Sequence, residues 1–129
     1  AERVGNAIRE CEAQGGTLAL LFVDLDHFKN VNDSLGHRTG DALLVAIAQR
    51  LQSIPPAGMT VSRLGGDEFV LLVPQASAQE AAVIANRVLQ AIAEPVQLQP
   101  YELTTTSTIG IALFPNDGDS FDMLYQRAD

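Results

Sequence analysis

Apolar side chains in the opening segment fall at Val4, Ala7, Ile8 and Cys11, the three- and four-residue spacing of an amphipathic helix. Gly15-Gly16 then supplies a left-handed helix end. Leu18 to Val23 is unbroken apolar sequence, which predicts a central strand buried on both faces. It stops at Asp24-Leu25-Asp26, so carboxylates arrive at the edge of the core; plain termination in solvent would place them there too. Phe28 to Val31 predicts a short helical turn, broken by Asn32-Asp33-Ser34 and Gly36. Asp41 is read as leading a longer helix with Leu43, Leu44, Ile47, Ala48 and Leu51 on one face.

Pro55-Pro56 and Gly58 form a loop into two β-type runs, Thr60 to Leu64 and Phe69 to Val73. These meet at Gly65-Gly66, and adjacent glycines tolerate the positive φ of a tight hairpin. Ser77 with Glu80 is a capping box, opening a helix whose buried stripe is Ala81, Ile84, Val88 and Ile92 and which Pro95 closes. Val96 to Leu98 pairs with the strand that follows. In that strand Leu103, Thr105, Ser107, Ile109, Ile111 and Leu113 share one face at period two. Pro115 to Gly118 is turn chemistry, and Phe121, Leu124, Tyr125 and Ala128 begin a last helix, marginal on its own at that length.

This order predicts an α+β fold with a ferredoxin-like βαββαβ core, its helices on one side of a mostly antiparallel sheet. The sequence has 129 residues, one domain spanning 1–129 with room for a real core. Apolar residues make up 47% and charged ones 19%, which excludes a disordered chain. A net charge of −8 excludes a nucleic acid polymer as partner, since that binding rests on clustered Lys and Arg. A single nucleotide carried with a divalent cation stays compatible, because the metal neutralises acids and phosphates together. Cys11 alone makes no internal disulfide, which points to a reducing, cytoplasmic setting. The longest apolar run is far short of the roughly 20 residues that span a bilayer. No membrane contact by this chain is therefore expected, whether or not the full-length protein is anchored. Without an initiating Met or a signal-type segment, the sequence reads as a piece of something longer.

Asp67 and Glu68 follow the glycine pair on the rim of an apolar strand. Paired carboxylates repel, so a cation or a proton is expected between them; a hairpin tip with two solvated acids is the bland alternative. The second acidic stretch, Asp24-Leu25-Asp26, shifts the balance. In a split βαβ fold the first strand's end neighbours the hairpin tip, gathering Asp24, Asp26, Asp67 and Glu68 for a hard cation. The residues opening the first helical turn, Phe28 and Lys29, offer backbone N–H groups to phosphates, and Lys29 adds a charge unless it is merely solvated. For Asn32 and Asp41 the plain alternative is helix capping. His27 and His37 lack any partner at ligand spacing and are read as structural.

Taken together, DLDHFKNVND, LGHRTGD, RLGGDEF, STIGIALFPNDG and the final RAD resemble the GGDEF-domain family, the diguanylate cyclases, over nearly the whole chain. The resemblance implies the palm-like fold of polymerases and nucleotidyl cyclases. It implies Mg²⁺, with Mn²⁺ as the alternative, held by Asp24, Asp67 and the carbonyl of Leu25. Glu68 would be a further metal or catalytic acid beside the catalytic Asp67, and Gly65 and Gly66 would let the nucleotide lie against the hairpin. Asn32 and Asp41 would read guanine, whose N1–H and exocyclic amine are two donors that one carboxylate can accept. Asp26 receives no role beyond local charge.

The implied activity joins two GTP, one per subunit of a homodimer, into cyclic di-GMP with release of two pyrophosphates. A sensory or phosphodiesterase domain would lie elsewhere in the full-length protein. The competing reading is a catalytically silent GTP-binding regulatory module, as in GGDEF-EAL tandems, whose turn Phe114 to Gly118 resembles. A ligand-free ferredoxin-like interaction domain ranks third. Two departures stand out. Family members commonly carry an inhibitory Arg-x-x-Asp product site, where this sequence has Pro56-Ala57-Gly58-Met59, so no inhibitory site is expected. The family's leading segment and its final helix and strand, with a Lys and an Arg for the triphosphate, are absent from this sequence.

Overall fold

In the computed structural model, which describes residues 2–54, 59–118 and 121–128, chain direction reverses at glycines and register is set by a four-stranded sheet. Helix α1 (Glu2–Gln14) ends at Gly15, with φ of 69°. The N–H groups of Gly15 and Gly16 close that end on the carbonyls of Glu12 and Cys11. Strand β1 (Leu18–Leu25) runs past the apolar stretch, so Asp24 lies inside the strand and not beyond it. Partners on both sides, Glu68 and Thr108, hold it there, and its side chain points to solvent.

Helix α2 (Phe28–Leu35) continues through Asn32-Asp33-Ser34, which had been expected to break it. Gly36 ends it instead, at φ 93°, its N–H donating to Asn32 O at 2.9 Å. Helix α3 (His37–Gln52) starts before Asp41. Asn32 and Asp41 are thus both interior to helices, and neither acts as a cap.

Strands β2 (Thr60–Gly65) and β3 (Glu68–Pro74) form the hairpin. Its turn is Gly66-Asp67, one residue later than the glycine pair suggested. A bulge between Arg63 and Gly65 absorbs the shift and sets Gly65 opposite Glu68. Helix α4 (Ala78–Ala93) carries the expected capping box: Glu80 N donates to Ser77 Oγ at 3.1 Å and Ser77 N to Glu80 Oε1 at 3.0 Å. Strands β4 (Val96–Leu98) and β5 (Tyr101–Leu103) pair as a separate ribbon. The strand expected to run from Leu103 to Leu113 is therefore broken, and β6 (Ser107–Phe114) alone joins the main sheet. The break falls where Thr106 O accepts from Asp26 N at 2.9 Å, tying this segment to the end of β1. Helix α5 (Phe121–Ala128) follows the turn at Pro115 to Gly118, where Asp117 Oδ2 accepts from Leu113 N at 2.7 Å. The side chains of Val4, Phe121 and Ala128, and residues Pro55, Pro56, Ala57 and Gly58, lie outside what is described.

The main sheet has the order β2-β3-β1-β6, antiparallel throughout, which is the expected βαββαβ arrangement. Its helices, however, cover both faces. Ala19, Leu21, Val23 and Leu25 of β1 pack with Phe28 of α2 and the apolar stripes of α3 and α4. Leu18, Leu20 and Phe22 pack with Ile8 of α1 and Leu124 of α5. A strand apolar at both parities needs cover on both sides, so α1 and α5 could not share the face of the other helices. Among the described residues no helix is long and apolar enough to cross a membrane.

Arg50 closes the joint between α3, α4 and the ribbon. Its guanidinium donates to the carbonyls of Ala91 (3.0 Å), Glu94 and Pro95, carbonyls that the end of α4 would otherwise leave unpaired. Arg50→Ala should lower unfolding free energy by about 1–3 kcal/mol. Urea denaturation of the two proteins measures it.

Candidate active site

Three carboxylates meet at one end of the sheet because the hairpin turn abuts the end of β1. Leu25 N donates to Asp67 O at 3.1 Å, which pins the turn, and Asp24 pairs across the ladder with Glu68. The Asp24 carboxyl is pushed above the usual carboxylate range. Desolvation is the largest cause, although much of the residue is exposed. The negative charges of Asp67, Glu68 and Asp26 and a hydrogen bond to the Asp67 side chain add to it. Every charged neighbour contributing to that shift is an acid.

These are hard oxygen donors with repulsion that a divalent cation would relieve, and in that sense the residues fit one. Among the described residues no three acidic, His or Cys side chains stand close enough to enclose an ion. Glu68, across the ladder from Asp24 and lining the same cleft, is engaged from α5. Tyr125 of α5 donates its hydroxyl to Glu68, at 2.7 Å from Oε1 and 2.8 Å from Oε2. Asp26, without a role in the sequence reading, accepts from Thr106 Oγ1 at 2.8 Å and Thr108 Oγ1 at 2.9 Å. It fastens β1 to the start of β6.

The nucleotide-facing candidates sit in separate surroundings. Asn32 lies against α3, its Oδ1 buried and without a hydrogen-bond partner. A Cβ on Gly40 would come within 1.8 Å of that oxygen, so any side chain there would force Asn32 to move. Asp41, one residue on, is exposed beside a cleft of about 390 Å³ that Arg63 and Phe69 also line. Phe28 is buried and can offer a ligand only its backbone, whereas Lys29 is exposed. His27 begins α2 in the left-handed region, φ 59°, with no side-chain cap on the helix, so N–H groups of the first turn lack that partner. Gly65 and Gly66 hold φ of 148° and 49° with open space where a Cβ would stand. Arg63 Nε braces the turn by donating to Gly66 O at 3.0 Å.

Gly40, Tyr125 and the two threonines on Asp26 were missed in the sequence. Gly40 left a signal, a glycine inside a helical pattern, which usually has a packing reason. Tyr125 left none, being one more large residue on an apolar stripe.

A family model described as "Diguanylate cyclase, GGDEF domain" matches residues 1–129. The chain is 39% identical over 121 residues to the cyclic di-GMP phosphodiesterase NbdA of Pseudomonas aeruginosa, covering 94% of this chain and 16% of that protein. It is 41% identical over 128 residues to the bifunctional diguanylate cyclase/cyclic di-GMP phosphodiesterase MucR of the same organism, covering 99% of this chain and 19% of that protein. The chain thus spans under a fifth of either relative's length. The crystal structure of the GGDEF domain of YfiN or TpbB from P. aeruginosa superposes with a TM-score of 0.88 at 40% identity, over 99% of this chain and 81% of that one.

Two outcomes test the site's physics without any ligand. Gly40→Ala should cost about 1–3 kcal/mol and should cost less in an Asn32→Ala background, a coupling that a double-mutant cycle in urea reads directly. Because Asp24's folded pKa is raised, its charged form opposes folding. That penalty appears as pH climbs from the unfolded value of about 4 and is full above the folded value. Asp24→Asn should therefore stabilise the metal-free protein at pH 7, with the gain fading below about pH 4, as followed by thermal melts across pH.

Proposed function

The chain belongs to the GGDEF family of diguanylate cyclase domains, and from that premise we propose that it condenses two GTP into cyclic di-GMP. The observation that carries the reading is the junction of Asp24 with Asp67 and Glu68, where the charged groups that raise the Asp24 pKa are all acids. Asp24 and Asp67, with the Leu25 carbonyl, would hold a divalent cation, Mg²⁺ or Mn²⁺. Bound there, the ion supplies Lewis-acid activation of the 3′-hydroxyl and neutralises charge on the attacked α-phosphate.

The protein's own groups do the rest. Asn32 and Asp41 take the guanine edge. A buried Oδ1 without a partner suits a ligand that brings N–H donors, since burying such an atom unpaired is costly. Backbone N–H groups of Phe28 and Lys29 and the Lys29 ammonium face the phosphates. Gly65 and Gly66 keep the hairpin clear of side chains where the nucleotide lies. Asp67 would act in catalysis as a ligand of the ion. Glu68, the remaining carboxylate, ligates the ion or takes the proton that the 3′-hydroxyl gives up. A bond forms from that oxygen to the α-phosphorus of the second GTP, the bond to its pyrophosphate breaks, and the reciprocal attack closes the ring. One GTP per subunit makes a facing homodimer necessary. Sensory or phosphodiesterase domains in the full-length protein, cytoplasmic in this reading, would control that pairing.

A second reading is a GTP-binding regulatory module without turnover. It is favoured by the likeness to NbdA, named a phosphodiesterase.

The full-length protein, incubated with GTP and Mg²⁺, should yield cyclic di-GMP by chromatography and mass spectrometry. Asp67→Ala and Glu68→Ala should each cut the rate by about a hundredfold or more. Asp41→Asn should erode preference for GTP over ATP by at least about tenfold. GTP bound tightly with no product would replace the cyclase by the regulatory module.

A further inference from the structure

We propose that Tyr125 is a positioning residue that occupies both carboxylate oxygens of Glu68, so that metal binding through Glu68 has to displace its hydroxyl. The inference rests on the reading of Asp24, Asp67 and Glu68 as the metal site. The hydroxyl stands 2.7 Å and 2.8 Å from the two carboxylate oxygens. Near-equal distances put it close to the carboxylate bisector, where a cation gripped by both oxygens would sit. Glu68 cannot serve both in that manner. A phenol donating to an ionised carboxylate is also among the stronger protein hydrogen bonds, so the competition is not trivial.

The position of the hydroxyl is fixed from behind. The Tyr125 ring meets Phe22 of β1 edge-on, with centroids 5.1 Å apart and planes at 75°, and its neighbour Leu124 is fully buried in the same core. Tyr125, Phe22, Asp24, Glu68 and Thr108 line one cleft of about 240 Å³. The Glu68 carboxylate therefore faces Tyr125 and Asp24 from one cleft, and a cation entering there competes with the hydroxyl for it. Helix α5 sets the cation affinity of a site to which it contributes no ligand.

These 129 residues hold two tyrosines and no tryptophan, so in a protein of this sequence alone Tyr101→Phe leaves Tyr125 as the sole emitter. A tyrosine hydrogen-bonded to a carboxylate is quenched by proton transfer in the excited state. Titrating Mg²⁺ without GTP into the Tyr101→Phe protein should raise emission as Glu68 departs. Tyr125→Phe keeps the ring and its contact with Phe22 while deleting the hydroxyl. It should bind Mg²⁺ about tenfold more tightly by calorimetric titration. Metal binding with unchanged emission, or a Tyr125→Phe affinity equal to or weaker than the parent's, overturns the proposal and leaves the metal site standing. No Mg²⁺ binding by the parent overturns both, whatever the outcome of the GTP assay.

Discussion

Central placement of β1 is the constraint on which the rest depends. It is hydrogen-bonded on both edges, to β3 and β6, and covered on both faces. A strand so enclosed has its backbone groups satisfied by ladders and its side chains by packing. Only its end remains to meet solvent. Asp24 is held at that end by the same ladder bonds that hold the core, and the hairpin brings Asp67 and Glu68 beside it. The acid cluster stands at the end of the most enclosed strand, and the repulsion within it is opposed by apolar packing along that strand.

Such a site is destabilising until it is neutralised, and the fold shows three local means of managing it. Tyr125 engages Glu68, the hydroxyls of Thr106 and Thr108 engage Asp26, and Asp24 responds by holding its proton more firmly. Around the cluster, residues are arranged by backbone need as much as by chemistry. Gly36 separates α2 from α3, Gly40 lets them touch, and Gly65 and Gly66 bend the hairpin. The helices carrying Asn32 and Asp41 are thereby pressed together over the same core as β1.

Much of this was legible in the sequence, for identifiable reasons. The run Leu18 to Val23 announces a doubly covered strand, and Ser77 with Glu80 marks a helix start through local bonds that survive folding. What failed were boundaries settled by distant partners. Asn32-Asp33-Ser34 favour a break when judged locally, yet packing of α2 on α3 carries the helix through to Gly36. Leu103 to Leu113 alternates well enough for one strand, but the bond from Asp26 to Thr106 spans most of the chain and cannot be seen in a short window. Helices on both faces could have been deduced, since a strand apolar at both parities already required them. The bond from Tyr125 to Glu68 joins residues remote in sequence and has no local trace.

The division of β1 by parity has one more consequence. Alternate residues feed opposite cores, so slipping the strand by a single position would exchange the two sets and swing Asp24 inward while Leu25 met water. No partial slip is tolerable, because each residue of the strand votes for the same alignment. The sheet therefore works as a reading frame: the hydrophobic sequence upstream proofreads where the acid falls, and an error in that frame would be rejected by the fold before any chemistry was attempted.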